Sequence, residues 1–332
     1  MKFIYYLGCD VSKNELDFAV FKQNVFVLHK EIKNEPKSID NFFKELKELP
    51  DFELSNTIVC MEHTGIYNNP LLVYLDKKKG NICLETALQI KKSQGSVRGK
   101  NDKIDSIRIA EYAYTFRDKI KLWQPKREVI QRLATLAGHR DRIINVKNSI
   151  EVPLKESAKF VLKSIQKESI NLFSKTLNAI EDDLKKIEKA IQEVIKSDEE
   201  LSRLFGLITS VQGIGPVTAI GVIITTNEFK DITEAKKYAC YAGVAPFVRE
   251  SGIFRGKGRV SKLANMNMKS LFHMAALTAV RVNEDLKKYY ERKTQEEKKN
   301  KMLVLNAVRN KLIHRIFACV NQNRKYNKTY TA

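Results

Sequence analysis

The chain has 332 residues, 43% hydrophobic and 30% charged, which is material for more than one buried core beneath a well-solvated surface. Lysine and arginine number 59 against 39 acidic residues, and the formal charge of +20 points to a polyanionic partner, nucleic acid first, ahead of a basic surface kept for solubility and of a membrane surface. Five cysteines with no CxxC pair argue against a zinc site and against a disulfide framework.

The N-terminal stretch "MKFIYYLGCDVSKNELDFAV" breaks its apolar run at Asp10, too early for a signal segment or a membrane span, so a cytoplasmic protein without a membrane partner is expected. "FIYYLGCDV", "ELDFAVF" and "VFVLHKEI" read as three strands of a meander, with Cys9, and later Cys60 and Cys83, as small buried hydrophobes. "SIDNFFKELKEL" reads as a helix capped by Ser38 or Asp40, with Phe42, Phe43, Leu46 and Leu49 on one face. "NTIVCMEHTG" is a strand ending in a polar turn, "NNPLLVYLDKKKG" a helix and "NICLETA" a further strand. A meander followed by alternating strands and helices predicts an α/β domain over 1–125, a mixed sheet covered by helices on the ribonuclease H-like plan.

Between Gly138 and Gly206 glycine is absent, and in "LNAIEDDLKKIEKAIQEVI" Leu177, Ile180, Leu184, Ile187, Ile191 and Val194 recur near heptad spacing. Residues 126–203 are therefore expected to form a coiled coil or long helical hairpin, broken or started at Pro153. Residues 204–332 read as a mainly α domain. Its "SVQGIGPVTAIGVI" resembles a helix-hairpin-helix element whose turn amides can face a phosphate, although a GxG turn also serves close helix packing. Arg249, Arg255, Lys257, Arg259 and Lys262 make a dense cationic loop with glycines that let it approach a nucleic-acid backbone. The last nine residues read as a frayed tail.

Four acids stand out against this basic background. Asp10 and Glu62 each close a strand-like run, and Asp102 and Asp105 sit three apart on one face of the helix "DKIDSIRIAEYAYTF". Taken alone, the aspartate pair reads as helix capping. Combined with two strand-end carboxylates it reads as oxygen ligands for a pair of hard divalent cations, an arrangement that stabilises the attacking and leaving oxygens of a phosphodiester. His63 alternates away from Glu62 on its strand, and Lys91, Lys92, Arg98 and Lys100 are expected on a loop before the aspartates, either solvated or serving a phosphate backbone.

"GCDVSKNELDFAV", "MEHTGIYNNPL" and "GKNDKIDSIRIAEYA" resemble the D, E and DxxD motifs of the DEDD transposases of the insertion-sequence one-ten family, and the second half of the chain resembles that family's C-terminal domain. The resemblance implies that Asp10, Glu62, Asp102 and Asp105 bind Mg²⁺, two ions to a site, and that Ser251 in "RESG", with Ser261 as the fallback, attacks DNA. It also implies donor and target DNA as substrates, a structured guide RNA, and a dimer or tetramer with composite sites. Two rivals stay open: a RuvC-like nuclease that uses metal-activated water, and a non-catalytic nucleic-acid scaffold.

Overall fold

The computed structural model describes residues 3–93, 101–251, 254–261 and 263–327. The chain forms two compact units, Met1–Pro125 and Lys126–Ala332.

In the first unit, β1 (Tyr5–Val11) pairs antiparallel with β2 (Glu15–Lys22) and β2 antiparallel with β3 (Val25–Lys33). On the other side of β1, β4 (Thr57–Glu62) and β5 (Asn81–Glu85) add in parallel, giving the order β3-β2-β1-β4-β5. Strand alternation divides the apolar residues between two faces. Tyr5, Leu7, Cys9 and Val11 pack with Phe42 and Phe43 of α1 (Pro36–Leu46) and Leu71 and Leu75 of α2 (Asn69–Lys77). Tyr6, Ile58, Cys60 and Cys83 face Ile90 of α3 (Ala87–Ser93) and Ile109, Ala110 and Ala113 of α4 (Asp102–Thr115). The three strand cysteines are buried and free.

Helix α1 is capped at Glu35, three residues before Ser38 and five before Asp40. Pro36, with its fixed φ and missing N–H, takes the first turn, and the Ser38 hydroxyl instead donates to the Glu35 carboxylate at 3.0 Å.

Helix α4 lies directly on β1 at Gly8. A Cβ there would stand 2.1 Å from the Ser106 carbonyl oxygen and 2.3 Å from the Ala110 nitrogen, so the two backbones meet only because no side chain intervenes. The Tyr112 hydroxyl donates to Glu85 Oε2 at 3.2 Å, and Tyr114 meets the Tyr6 ring edge-on at 5.1 Å. These contacts fix how far along β1 the helix begins.

In the second unit, α5 (Glu128–Ser157) and α6 (Lys163–Ser197) pack against each other as a long hairpin. Pro153 lies inside α5 and neither breaks nor starts it. Its missing N–H removes one bond a turn before the helix ends, which a packed helix absorbs. Along α6, Ile180, Ile191 and Val194 of the heptad seam are buried, and Leu177, Leu184 and Ile187 are half-buried. The expected boundary after residue 203 falls within α7 (Glu199–Thr209). Ile130 and Leu133 of α5 and Ile191 and Val194 of α6 join one core with α8 (Pro216–Thr226), α9 (Ala235–Tyr241), α10 (Met266–Val282), α11 (Glu284–Glu291) and α12 (Lys301–Asn321).

Arg127 closes this unit at its start. Its Nη1 and Nη2 donate to both Asp198 carboxylate oxygens at 2.7 and 2.9 Å, and its Nε donates to Glu228. Asp198 in turn caps α7 by accepting from the Leu201 N–H at 2.8 Å. Glu228, fully buried, sits in a left-handed turn with Asn227 and Phe229, at φ 49°, 57° and 63°. Such backbone is unfavourable for these residues and stands because the Arg127 pair and the Phe229 N–H bond to Thr226 Oγ1 (3.1 Å) hold it.

The cationic loop is a β-hairpin, β6 (Phe247–Ser251) with β7 (Phe254–Arg259). Of the tail expected to fray, residues 328–332 lie outside the described residues, while its start is docked: the Tyr326 N–H donates to Ser210 Oγ at 2.8 Å and Arg315 covers the Tyr326 ring at 4.9 Å. Among the described residues no helix is long and apolar enough to cross a membrane.

Gly8→Ala is expected to destabilise the first unit by about 3 kcal/mol, because a methyl group there overlaps helix backbone, which cannot rotate away. The chain's single tryptophan, Trp123, packs on this unit's core and reports its unfolding in urea. An unshifted midpoint would mean that α4 does not rest on Gly8.

Candidate active site

Asp10 is the last but one residue of β1, partly exposed, on the face that carries α4. Its cross-strand neighbour is Asp17 on β2, and that of Asp17 is Glu31 on β3. On the other side Cys9 pairs with Met61, which sets Asp10 beside Glu62, and Glu62 pairs with Glu85 on β5. Cross-strand partners share a face, so a row of acids crosses the sheet near its strand ends.

The outer acids have partners within the fold. Asp17 is buried against His29, with Nε2 3.0 Å from Oδ1, and Glu85 accepts from Tyr112 and from the Thr86 N–H at 2.9 Å. The turn after Glu62 is locked by the buried Asn68: its Nδ2 donates to the Glu62 carbonyl at 2.7 Å, and its Oδ1 accepts from the Thr64 N–H and hydroxyl at 2.7 and 3.0 Å. His63 is exposed just beyond the strand, where its N–H donates to the Glu85 carbonyl at 2.9 Å.

Asn101, not Asp102, caps α4, accepting from the Lys103 N–H at 3.0 Å. Asp102 is thereby the first helical residue, and with Asp105 it occupies the turn where the helix dipole favours negative charge. Asp105 pairs with Arg108 at 2.8 Å, one turn along.

Three of the acids act on the fourth. Burial pushes the Asp10 carboxyl up from its usual 3.8 to about 6, and the negative charges of Glu62, Asp102 and Asp105, in that order, push the same way against a hydrogen bond from the Val11 N–H. The sheet thus brings Asp10 and Glu62 together, and Gly8 brings the start of α4 to them. As the side chains stand, no three or more His, Cys, Asp or Glu among the described residues form a group that could hold a metal ion. The donor chemistry nonetheless suits a hard divalent cation, since every acid in the group offers carboxylate oxygen and Asp10 carries a penalty for ionisation that a cation would reverse.

The remaining expected site residues divide by position. Lys91 and Lys92 occupy the last turn of α3 and not a loop, while Arg98 and Lys100 lie outside the described residues. Ser251 is the last residue of β6, exposed at the turn of the hairpin and in register with Phe254. Arg249, Arg255, Lys257 and Arg259 lie on the two strands with their side chains outside the described set, and Lys262 lies outside it altogether. Ser261 accepts from the Leu263 N–H at 3.1 Å, the geometry of a turn. The serines belong to the second unit, the four acids to the first.

Sequence reasoning missed Asp17, His29, Glu85, Arg108 and Tyr112. Glu85 closes "NICLE" just as Glu62 closes "TIVCME", and that parallel was a usable signal. The alternation that places Asp10 on one face of β1 places Asp17 on the same face of β2 once the register is known.

Two family profiles match the chain. Residues 7–156 match a transposase profile of the DEDD type of IS110, and residues 206–291 match the transposase IS116/IS110/IS902 family. The chain belongs to this transposase family. The first match contains all four acids of the site, the second both candidate serines. Similar proteins include the pilin gene-inverting proteins of Moraxella bovis (25% identical over 335 residues, 97% of this chain and 98% of the relative) and Moraxella lacunata (25% over 332 residues, 97% and 98%). The transposase for insertion sequence element IS1533 of Leptospira borgpetersenii is 26% identical over 261 residues, 71% of this chain and 73% of the relative.

In the transposase the raised Asp10 has a consequence for stability. Its folded pKa lies above the unfolded value, so ionisation opposes folding: the penalty is absent below about pH 4, grows between pH 4 and 6 and is complete above it. In a metal-free buffer Asp10→Asn is expected to be more stable than the parent at pH 8, by about 1–2 kcal/mol after allowance for partial exposure, with the gain vanishing towards pH 4. Urea titrations at the two pH values check this, and a variant less stable at pH 8 would refute it.

Proposed function

We propose that the protein is a recombinase that cuts, exchanges and rejoins DNA strands for an insertion sequence, with Ser251 as nucleophile and Asp10, Glu62, Asp102 and Asp105 as the ligands of Mg²⁺. The observation that carries the reading is the joint action of Glu62, Asp102 and Asp105 on Asp10 at one sheet end, in a chain of this transposase family. The names of the relatives support it, one set inverting a gene and another transposing an insertion sequence.

Chemically, the Ser251 hydroxyl loses its proton and its Oγ forms a bond to phosphorus, while the bond from phosphorus to one bridging oxygen of the DNA breaks and that oxygen takes up a proton. Rejoining runs the same step in reverse with a hydroxyl from the exchanged strand, which restores the serine. Cations bound by the four carboxylates would lower the proton affinity of the nucleophile and offset charge on the phosphate. The acids hold those cations, α4 and the Asn68 turn fix the acids, and Arg249, Arg255, Lys257, Arg259 and Lys262 hold the backbone beside Ser251, with Lys91, Lys92, Arg98 and Lys100 serving the acidic site. Gly213 packs against Ala279 of α10, which accounts for it by close helix packing, while Gly215, with open space beside it at the start of α8, suits a helix-hairpin-helix contact to a further phosphate.

A structured guide RNA accounts for positive charge well beyond what one duplex contact needs, +20 in all. The far end of the α5–α6 hairpin exposes Phe160 (87%), Leu162 (70%) and Leu172 (73%), which supports a dimer or tetramer built on a coiled-coil contact between copies, so that acids and serine of one composite site come from one chain or two.

The purified protein, incubated with RNA, donor and target DNA and Mg²⁺, is expected to give a denaturant-resistant protein–DNA adduct mapping to Ser251. Ser251→Ala should abolish the adduct and Asp102→Asn reduce it at least a hundredfold, whereas Ser261→Ala retains it. Cleavage that survives Ser251→Ala would favour a water-using nuclease instead.

Leu162→Asp with Leu172→Asp is expected to lower the solution mass to that of the monomer without moving the urea midpoint. Light scattering decides, and an unchanged mass would place the copy contact elsewhere.

A further inference from the structure

The C-terminal tail folds back over the junction of α6 and α7. Asn323 accepts from Arg203 Nη1, the Arg324 N–H donates to the Cys319 carbonyl at 2.9 Å, and Tyr326 is held by Ser210 and Arg315. Tail and helices together enclose an open cleft of about 990 Å³. Its lining includes Lys196, Arg203, Arg324 and Lys325, against one carboxylate, Glu199.

Two of these cations, Lys196 and Lys325, are not balanced by the fold. Arg203 is matched by Glu200 through bonds of 2.6 and 2.7 Å, which keeps its guanidinium edge in place beside Asn323. Lys196 and Lys325 are exposed and have no ion-pair partner among the described residues. On α6, Lys185 and Lys186 each pair with an aspartate three residues earlier, whereas Lys163, Lys167 and Lys175 resemble Lys196 in having no ion-pair partner among the described residues, so what sets the cleft lysines apart is their concave setting beside Arg203 and Arg324. Concentrating unpaired lysines around a concave surface raises its positive potential, and the docking of residues 323–326 brings Lys325 there from the far end of the chain.

We infer that this cleft binds the sugar–phosphate backbone of a nucleic acid, as a contact surface of the second unit built from residues other than those of the β6–β7 hairpin. Flexible lysine ammonium groups, with Ser197 and Ser202 as hydroxyl donors, suit phosphates read without regard to sequence. The cleft is too polar and too open for a buried small apolar ligand. DNA and RNA offer the same chemistry here, and the inference rests on the reading of the chain as a nucleic-acid recombinase.

The test uses the full chain with Lys196→Gln and Lys325→Gln combined, both exposed positions whose exchange leaves the core untouched. Fluorescence anisotropy with a labelled DNA duplex and with a labelled RNA stem-loop, across a salt series, gives the affinity and its salt dependence. A charge-matched control carries Lys185→Gln with Lys186→Gln. We expect the cleft variant to bind at least one probe about tenfold more weakly at moderate salt, with the log–log salt slope for duplex shallower by about 1.8, the loss of two phosphate contacts, and the control to stay near the parent. Loss with only the duplex assigns the cleft to DNA, loss with only the stem-loop to RNA, and loss with both to a shared backbone path. Equal losses in the two variants, or none in the cleft variant, overturn the inference. Binding is read without cleavage, so an absent serine adduct with a selective loss here would sink the recombinase mechanism and leave the cleft standing.

Discussion

The contact between α4 and β1 at Gly8 is the constraint from which the acidic site follows. Two backbones at this separation leave no freedom in where the helix starts, and its first turn carries half of the acids. The other half is set by strand pairing, since Asp10 and Glu62 occupy adjacent positions at the ends of neighbouring parallel strands. Neither set is useful alone. The site arises where sheet register and helix placement are both fixed, and a single glycine links them.

That site works against the electrostatics of its immediate surroundings and with those of the whole chain. Gathering carboxylates at the strand ends makes ionisation of Asp10 costly, and around it His29 partners Asp17, Tyr112 partners Glu85 and Arg108 partners Asp105. Asp10 lies at the centre, where a cation of higher charge would matter most. A positive protein surface suits a polyanion, and under the proposed function the local acidic centre would hold the metal that acts on it.

Much of the first unit was legible because its residues obey short-range rules. Apolar alternation gave the strands, Pro70 and Gly80 bounded a helix, and Asp10, Glu62, Asp102 and Asp105 each sat at an element end that a reader can find. What escaped was set by pairing across the chain. Asp17 looks like a surface residue of a strand until β1 is laid beside it, and the docked tail depends on Ser210, more than a hundred residues away. Pro36 and Pro153 erred in opposite senses: one began a helix that seemed to start later, the other failed to end one. The hairpin around Ser251 looked like a loop because glycine and arginine carry no strand periodicity. The metal reading of the acids came from their combination at element ends and was sharpened by family resemblance, whereas the role proposed for Ser251 came from resemblance alone.

Arg127 has a bearing on how the second unit can be isolated. It stands two positions after the last residue of the first unit, yet its guanidinium is the counter-ion of Asp198 and of the buried Glu228. A fragment begun at Lys126 carries that counter-ion with it. One begun at Glu128, shorter by two residues, would leave the buried Glu228 with Lys230 alone as its ion-pair partner among the described residues and strip Asp198 of its guanidinium, so an independent C-terminal fragment is better started at Lys126 than two residues later.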